Sequence, residues 1–114
     1  MAIRDASCLQ YSLTDEERQQ FNEQGYFMIE NALSPAQVTA LTVATDGIYA
    51  QKVAEGHDPK TALFYPNFIP DDTLYQDLVD YEKILPKVWD ILGWNIYLYH
   101  AHLIVTPPNG QAPD

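Results

Sequence analysis

Apolar residues along this chain recur at two different spacings, and the two spacings predict a mixture of helices and extended segments. The first helix is announced by Leu13-Thr14-Asp15-Glu16-Glu17, where Thr14 can cap a helix and Glu17 can reach back to it. Acidic residues in that first turn suit the helix dipole. Phe21 is its clearest apolar anchor, and Gly25 is placed to end it in the left-handed conformation. Tyr26-Phe27-Met28-Ile29-Glu30 is aromatic and β-prone and predicts a strand. Ser34-Pro35-Ala36-Gln37 then opens a second helix, with a serine cap, proline at the first helical position and glutamine at the third. Val38, Leu41, Thr45 and Ile48 follow at helical spacing, and Gly56 stops the helix just after Glu55.

The second half repeats the alternation with shorter elements. His57-Asp58-Pro59-Lys60 predicts a solvated loop, and Ala62-Leu63-Phe64-Tyr65 a short extended segment. Pro66 and Pro70 bracket Asn67-Phe68-Ile69 and are expected to keep it out of helix. Asp71-Asp72-Thr73 can cap a third helix running through Leu74, Leu78 and Tyr81. Pro86 starts a further turn or two, carrying Val88, Trp89 and Leu92 and stopping at Gly93. Asn95 to Thr106 is the longest strand candidate. It is apolar on both faces, as strands covered on both sides are. The order is an α+β pattern with a sheet still to be completed. Residues 1–12 read as a lead and 13–114 as the domain.

Charge and composition remove several function classes. Six lysines and arginines oppose sixteen acidic residues, a formal net charge of −10. That balance opposes nucleic-acid binding, which needs a basic face to displace counterions from phosphate, and opposes anionic membrane surfaces. Hydrophobic residues make up 46% of the chain, enough to exclude disorder throughout. No apolar run spans a bilayer and residues 1–12 lack the apolar core of a signal peptide, so a soluble cytoplasmic protein is the expectation. Cys8, the single cysteine, reads as a thiol of no special role.

Three clusters could carry chemistry. His100 and His102 stand two residues apart in the predicted strand and so share a face. They could chelate a metal, line a pocket without binding one, or be polar residues bonded to neighbours in a half-buried strand. A metal site of the cupin form would want a glutamate a few residues on, and no Glu occurs after Glu82. His57 and Asp58, being adjacent, point different ways and make a poor chelate. Asp71, Asp72, Asp77, Asp80 and Glu82 fall around helical turns, and an exposed acidic face accounts for them better than acid–base catalysis. No Gly-rich phosphate loop, C-x-x-C or G-x-S-x-G is present.

Taken in order, the segments resemble a known family. Phe21-x-x-x-Gly25-Tyr26-Phe27-Met28-Ile29 and then Leu33-Ser34-Pro35 before a long helix resemble the opening of the phytanoyl-CoA dioxygenase family. Leu92-Gly93 followed by Asn95 through Pro108 is similar to the family's long core strand and the Pro-containing turn after it. The resemblance implies a double-stranded β-helix (jelly-roll, cupin-like) fold, of which this chain would hold the N-terminal helices and first core strands. It also implies iron(II) and 2-oxoglutarate as cofactors, and a reaction that couples oxidative decarboxylation of 2-oxoglutarate to hydroxylation of a small organic substrate. The family's iron is held by a His-x-Asp pair and a distant His in a facial triad. None of the three histidines here is followed two residues later by Asp, so the metal ligands are expected outside this sequence. By the same resemblance His102 would lie against 2-oxoglutarate and His100 would look toward the substrate. Phe64 or Tyr65 would lie in the segment closing over the cosubstrate. The chain would be inactive alone. A further C-terminal segment, lost by truncation, is expected to complete the sheet, or else a second chain. Two other readings stay open: a non-catalytic binding or interaction domain derived from that fold, and a small metal-binding protein using His100 and His102.

Overall fold

Thr14 begins the first helix as its side chain predicts. Its hydroxyl accepts the Glu17 N–H at 3.1 Å, and the Glu17 carboxylate accepts the Thr14 N–H at 3.0 Å. The computed structural model describes residues 10–108 of the chain. Within them the order is α1 (Asp15–Gln24), α2 (Pro35–Ala54), β1 (Leu63–Pro66), a 3-10 turn (Ile69–Asp71), α3 (Thr73–Val79), α4 (Leu85–Leu92) and β2 (His102–Val105). This is a mixed α+β chain with a two-stranded antiparallel sheet. Cys8 and the turn residues Asn109 and Gly110 lie outside the described residues. No helix of the described residues is long and apolar enough to cross a membrane.

The chain folds as two units. One holds α1 and the segment up to Leu33, together with Val79–Tyr97, which includes α4. Gly25 ends α1 at φ 81°, with its N–H on the Phe21 carbonyl. An added Cβ there would meet nothing within 4 Å, so it is the left-handed backbone that favours glycine. The chain then runs extended past Phe27, whose ring stands edge-on to Phe21 with centroids 6.2 Å apart. The expected strand over Tyr26–Glu30 does not form. Its residues alternate between half-buried and exposed as a strand's would, but no described segment offers a ladder to pair with.

Helix α4 is tied to α1 by polar contacts that the apolar pattern does not reveal. The Asp90 carboxylate accepts the Leu13 N–H at 3.1 Å and pairs with Arg18 at 3.0 Å. Lys87 is buried, and its ammonium donates to Glu17 at 2.6 Å and to the Ser12 carbonyl at 3.3 Å. The Tyr81 hydroxyl donates to the Ala32 carbonyl at 2.6 Å. Leu92, expected on the helix's packed face, is exposed, whereas Val88 and Trp89 are half-buried.

The other unit holds Ser34–Leu78 and the chain from Leu98 onward. Ser34 and Gln37 form the second capping box, with Pro35 at the first helical position. Of the stripe expected along α2, Leu41, Thr45 and Ile48 are half-buried, while Val38 in its first turn is exposed. Strand β1 pairs antiparallel with β2 in the register Leu63↔Val105, Phe64↔Ile104, Tyr65↔Leu103, Pro66↔His102. Asn67, at φ 58°, extends the pairing by donating to the Ala101 carbonyl at 3.0 Å. Pro66 and Pro70 exclude an α-helix as expected, yet Pro70 fits within a 3-10 turn, where its missing N–H costs nothing. Asp72 caps α3 by accepting the Leu74 N–H at 2.9 Å. The helix ends at Val79, short of Tyr81, and its most buried residue is Tyr75, at 2% exposure.

The long strand expected from Asn95 to Thr106 shrinks to four paired residues, because β1 offers only four with which to pair. Nor is that strand covered on both sides. Leu63, Tyr65, Leu103 and Val105 turn inward, whereas Phe64 and Ile104 turn outward, exposed by 53% and 43%.

Candidate functional site

The alternation of a paired strand separates the residues singled out as pocket candidates. On β1 and β2, Phe64, Pro66, His102 and Ile104 face outward together, since opposite residues in an antiparallel ladder share a face. Phe64 is directly opposite Ile104, so its ring meets His102 on the diagonal, with centroids 5.0 Å apart. His100, two residues before His102, has its ring near-parallel to that of His102, with centroids 5.3 Å apart and planes 27° apart. Tyr99 continues the row, 5.4 Å from His100. The result is a row of one phenyl and two imidazole rings, all exposed, running from the outer face of the sheet onto the segment before β2. No described residue hydrogen-bonds to either imidazole, and both histidines are exposed. A neutral imidazole offers one donor and one acceptor. The face can therefore grip a small polar or anionic molecule by hydrogen bonds while stacking against its flat parts.

Tyr65 stands elsewhere. It lies on the inward side of β1, and its hydroxyl donates to Asp71 at 2.5 Å. That bond pushes the phenol above its ordinary value, because the neutral O–H is the partner the carboxylate needs. The Lys52 ammonium sits over the Tyr65 ring, 4.9 Å from its centroid, while bonded to Glu55 at 2.8 Å. Neither contact is legible in the sequence, because both depend on how β1 and the 3-10 turn approach the end of α2. Phe64 and Tyr65 are neighbours and so could not share one face.

The remaining clusters do not assemble. His57 is half-buried rather than solvated: its ring stands edge-on to Tyr49 at 6.1 Å, and its Nε2 donates to the Thr61 carbonyl at 3.2 Å. Asp58 instead accepts the Lys60 N–H at 2.9 Å, closing the loop. Asp71, Asp77, Asp80 and Glu82 are exposed and Asp72 is half-buried at its cap.

Iron in a facial triad needs three protein donors. Among the described residues no three of His, Cys, Asp and Glu come together to hold a metal. His100 and His102 supply two, so the residues present do not fit the iron centre that the family resemblance implies. Nor does the His100–His102 face carry a described hydrogen bond or ion pair to a lysine or arginine that could answer a carboxylate. No protein-family model, no curated protein and no solved structure matches the chain.

Proposed function

We propose that this chain is the N-terminal part of an iron(II)- and 2-oxoglutarate-dependent dioxygenase of the phytanoyl-CoA dioxygenase type, acting on a small organic substrate. In this reading the double-stranded β-helix is completed by a C-terminal segment beyond these residues. The outer face of β1 and β2 becomes a wall of the pocket. His102 and Phe64 lie beside the cosubstrate and His100 toward the substrate, while Tyr65 braces β1 from behind. The iron ligands are assigned to residues outside 10–108.

The observation that carries this reading is the Phe64–His102–His100 row. Three residues assigned to one pocket on family grounds adjoin one another, all exposed, and no described residue hydrogen-bonds to either imidazole. A face of that kind is costly to leave in water: two-stranded sheets are marginal alone, and an open apolar face is normally covered. The same exposure favours a second reading, a non-catalytic binding domain that keeps the scaffold without the metal centre.

Supplied with iron(II), oxygen and 2-oxoglutarate, the 114-residue chain is expected to release no carbon dioxide from 2-oxoglutarate above the protein-free control. Sustained release that disappears in His102→Ala would overturn the assignment, since it would put the ligands within the chain.

A further inference from the structure

We infer that the outer edge of β2 is a docking edge for a second copy of this chain, which adds its own β2 antiparallel across a two-fold axis. The inference does not rest on the oxygenase reading. It uses backbone groups along the edge of the strand, where that reading uses side chains on its outer face.

The pairing register says which backbone groups are left over. The Asn67 N–H donates to the Ala101 carbonyl at 3.0 Å, and these two residues stand opposite each other in the register that sets Leu63 against Val105. Hydrogen-bonded and non-bonded pairs alternate along an antiparallel ladder. Leu63↔Val105 and Tyr65↔Leu103 are therefore the bonded pairs, and the backbone groups of Phe64, Pro66, His102 and Ile104 point away from the ladder, to the two free edges. Pro66 fits this alternation, because it has no N–H to give to the neighbouring strand.

The two edges differ. On β1 the outward row is Phe64 and Pro66, and the proline supplies no donor and obstructs a third strand. On β2 the outward row is His102 and Ile104, each with both an N–H and a carbonyl, and no described segment pairs with it there.

Charge names the occupant. Between Asp90 and Asp114 the chain carries no Asp, Glu, Lys or Arg, although its formal net charge is −10. β2 thus lacks the lysine or proline that natural edge strands use against pairing, and it has no charge with which to attract an acidic or basic peptide. Two copies of so acidic a chain repel one another, and an uncharged edge is where they meet at least cost. Setting Leu103 opposite its own counterpart brings the outward row of each copy against that of the other. The match is self-complementary, as a two-fold interface must be, and exchanges about four backbone hydrogen bonds. Ile104, exposed in the single chain, gains a cross-strand neighbour.

Sedimentation equilibrium of the 114-residue chain, from micromolar to millimolar concentration, tests this. A reversible monomer–dimer equilibrium is expected, tightening as added salt screens the repulsion. Ile104→Pro removes an outward N–H from each copy and leaves the β1 ladder intact, so it should weaken dimerisation about 30-fold. Phe64→Pro, the same change on the outer edge of β1, should leave dimerisation unaltered. Ile104→Lys makes the chain less acidic and would strengthen an association governed by overall charge. At this edge it sets like charges close together and should weaken the dimer. Circular dichroism checks that each variant keeps its fold. Amide exchange gives a readout without substitution: the His102 and Ile104 N–H groups should become protected as the dimer forms, and the Phe64 N–H should not. A monomer at every concentration, a dimer indifferent to both Ile104 variants, or a dimer lost in a folded Phe64→Pro would each overturn the inference. So would His102 and Ile104 amides protected equally in the monomer, since a segment of the same chain would then cover the edge. None of these outcomes bears on whether 2-oxoglutarate is turned over.

Discussion

Tyr75→Ala is expected to destabilise the chain by about 3–5 kcal/mol, the cost typical of removing a buried aromatic side chain. Tyr75 is 2% exposed, the most buried large side chain among the described residues. Its ring meets Phe68 edge-on at 4.8 Å, a favourable aromatic arrangement. Its hydroxyl lies 3.1 Å from that of Thr45, which ties α3 to the middle of α2. Removing the ring leaves a void between the two helices and strands the Thr45 hydroxyl. Tyr75→Phe separates these contributions: it keeps the ring and gives up one neutral hydrogen bond, with an expected cost of about 1 kcal/mol. Thermal unfolding should show the midpoint falling by about 10 °C or more for the alanine variant and by a few degrees for phenylalanine. Equal losses in both would mean that the hydroxyl pair, and not the ring, holds α3 to α2.

Glu17→Ala is expected to cost about 3 kcal/mol or more, because it leaves the buried Lys87 ammonium without its carboxylate and also removes half of a capping box. Glu17→Gln keeps an acceptor for the Thr14 N–H and isolates the ionic part. Burial acts to raise the Glu17 carboxyl. The Lys87 hydrogen bond, the bonds from Thr14 and the Lys87 charge together outweigh it and hold the group below its ordinary value. A carboxyl lowered in the folded state contributes stability that is complete above its unfolded value and is lost as pH falls through the folded one. The wild type should therefore lose this contribution below about pH 4, while Glu17→Gln loses no stability from this site over the same range. Denaturant midpoints measured between neutral and acid pH read this directly. Parallel acid profiles for the two proteins would show that the pair does not couple to folding.

What could be read ahead of the structure was the chemistry contained within a few residues. Thr14 with Glu17, Ser34 with Gln37, and the stops at Gly25 and Gly93 all form as their side chains predict, because a cap is completed by its own neighbours. Strands fared differently. Tyr26–Ile29 and Asn95–His100 have strand-like composition and no ladder, since a strand needs a partner and β-propensity does not say where one is. Lys87 was invisible as a core residue, for a lysine in an amphipathic helix normally faces water, and its burial depends on a carboxylate from α1. In the candidate site, the shared face of His100 and His102 follows from two-residue spacing alone. The contact of the His102 ring with Phe64 requires the register that sets Phe64 against Ile104, which no local pattern encodes.

The central proposal is that the Phe64–His102–His100 face belongs to a larger oxygenase whose iron ligands lie beyond these residues. The most direct measurement is the mass of the protein made from its own gene, taken together with the coding sequence that follows Asp114. The account predicts a longer product carrying a His-x-Asp soon after the Pro107-Pro108 turn, and loss of 2-oxoglutarate turnover when that His is replaced. A product whose mass corresponds to a chain ending at Asp114, or a longer one with no such pair, would contradict it.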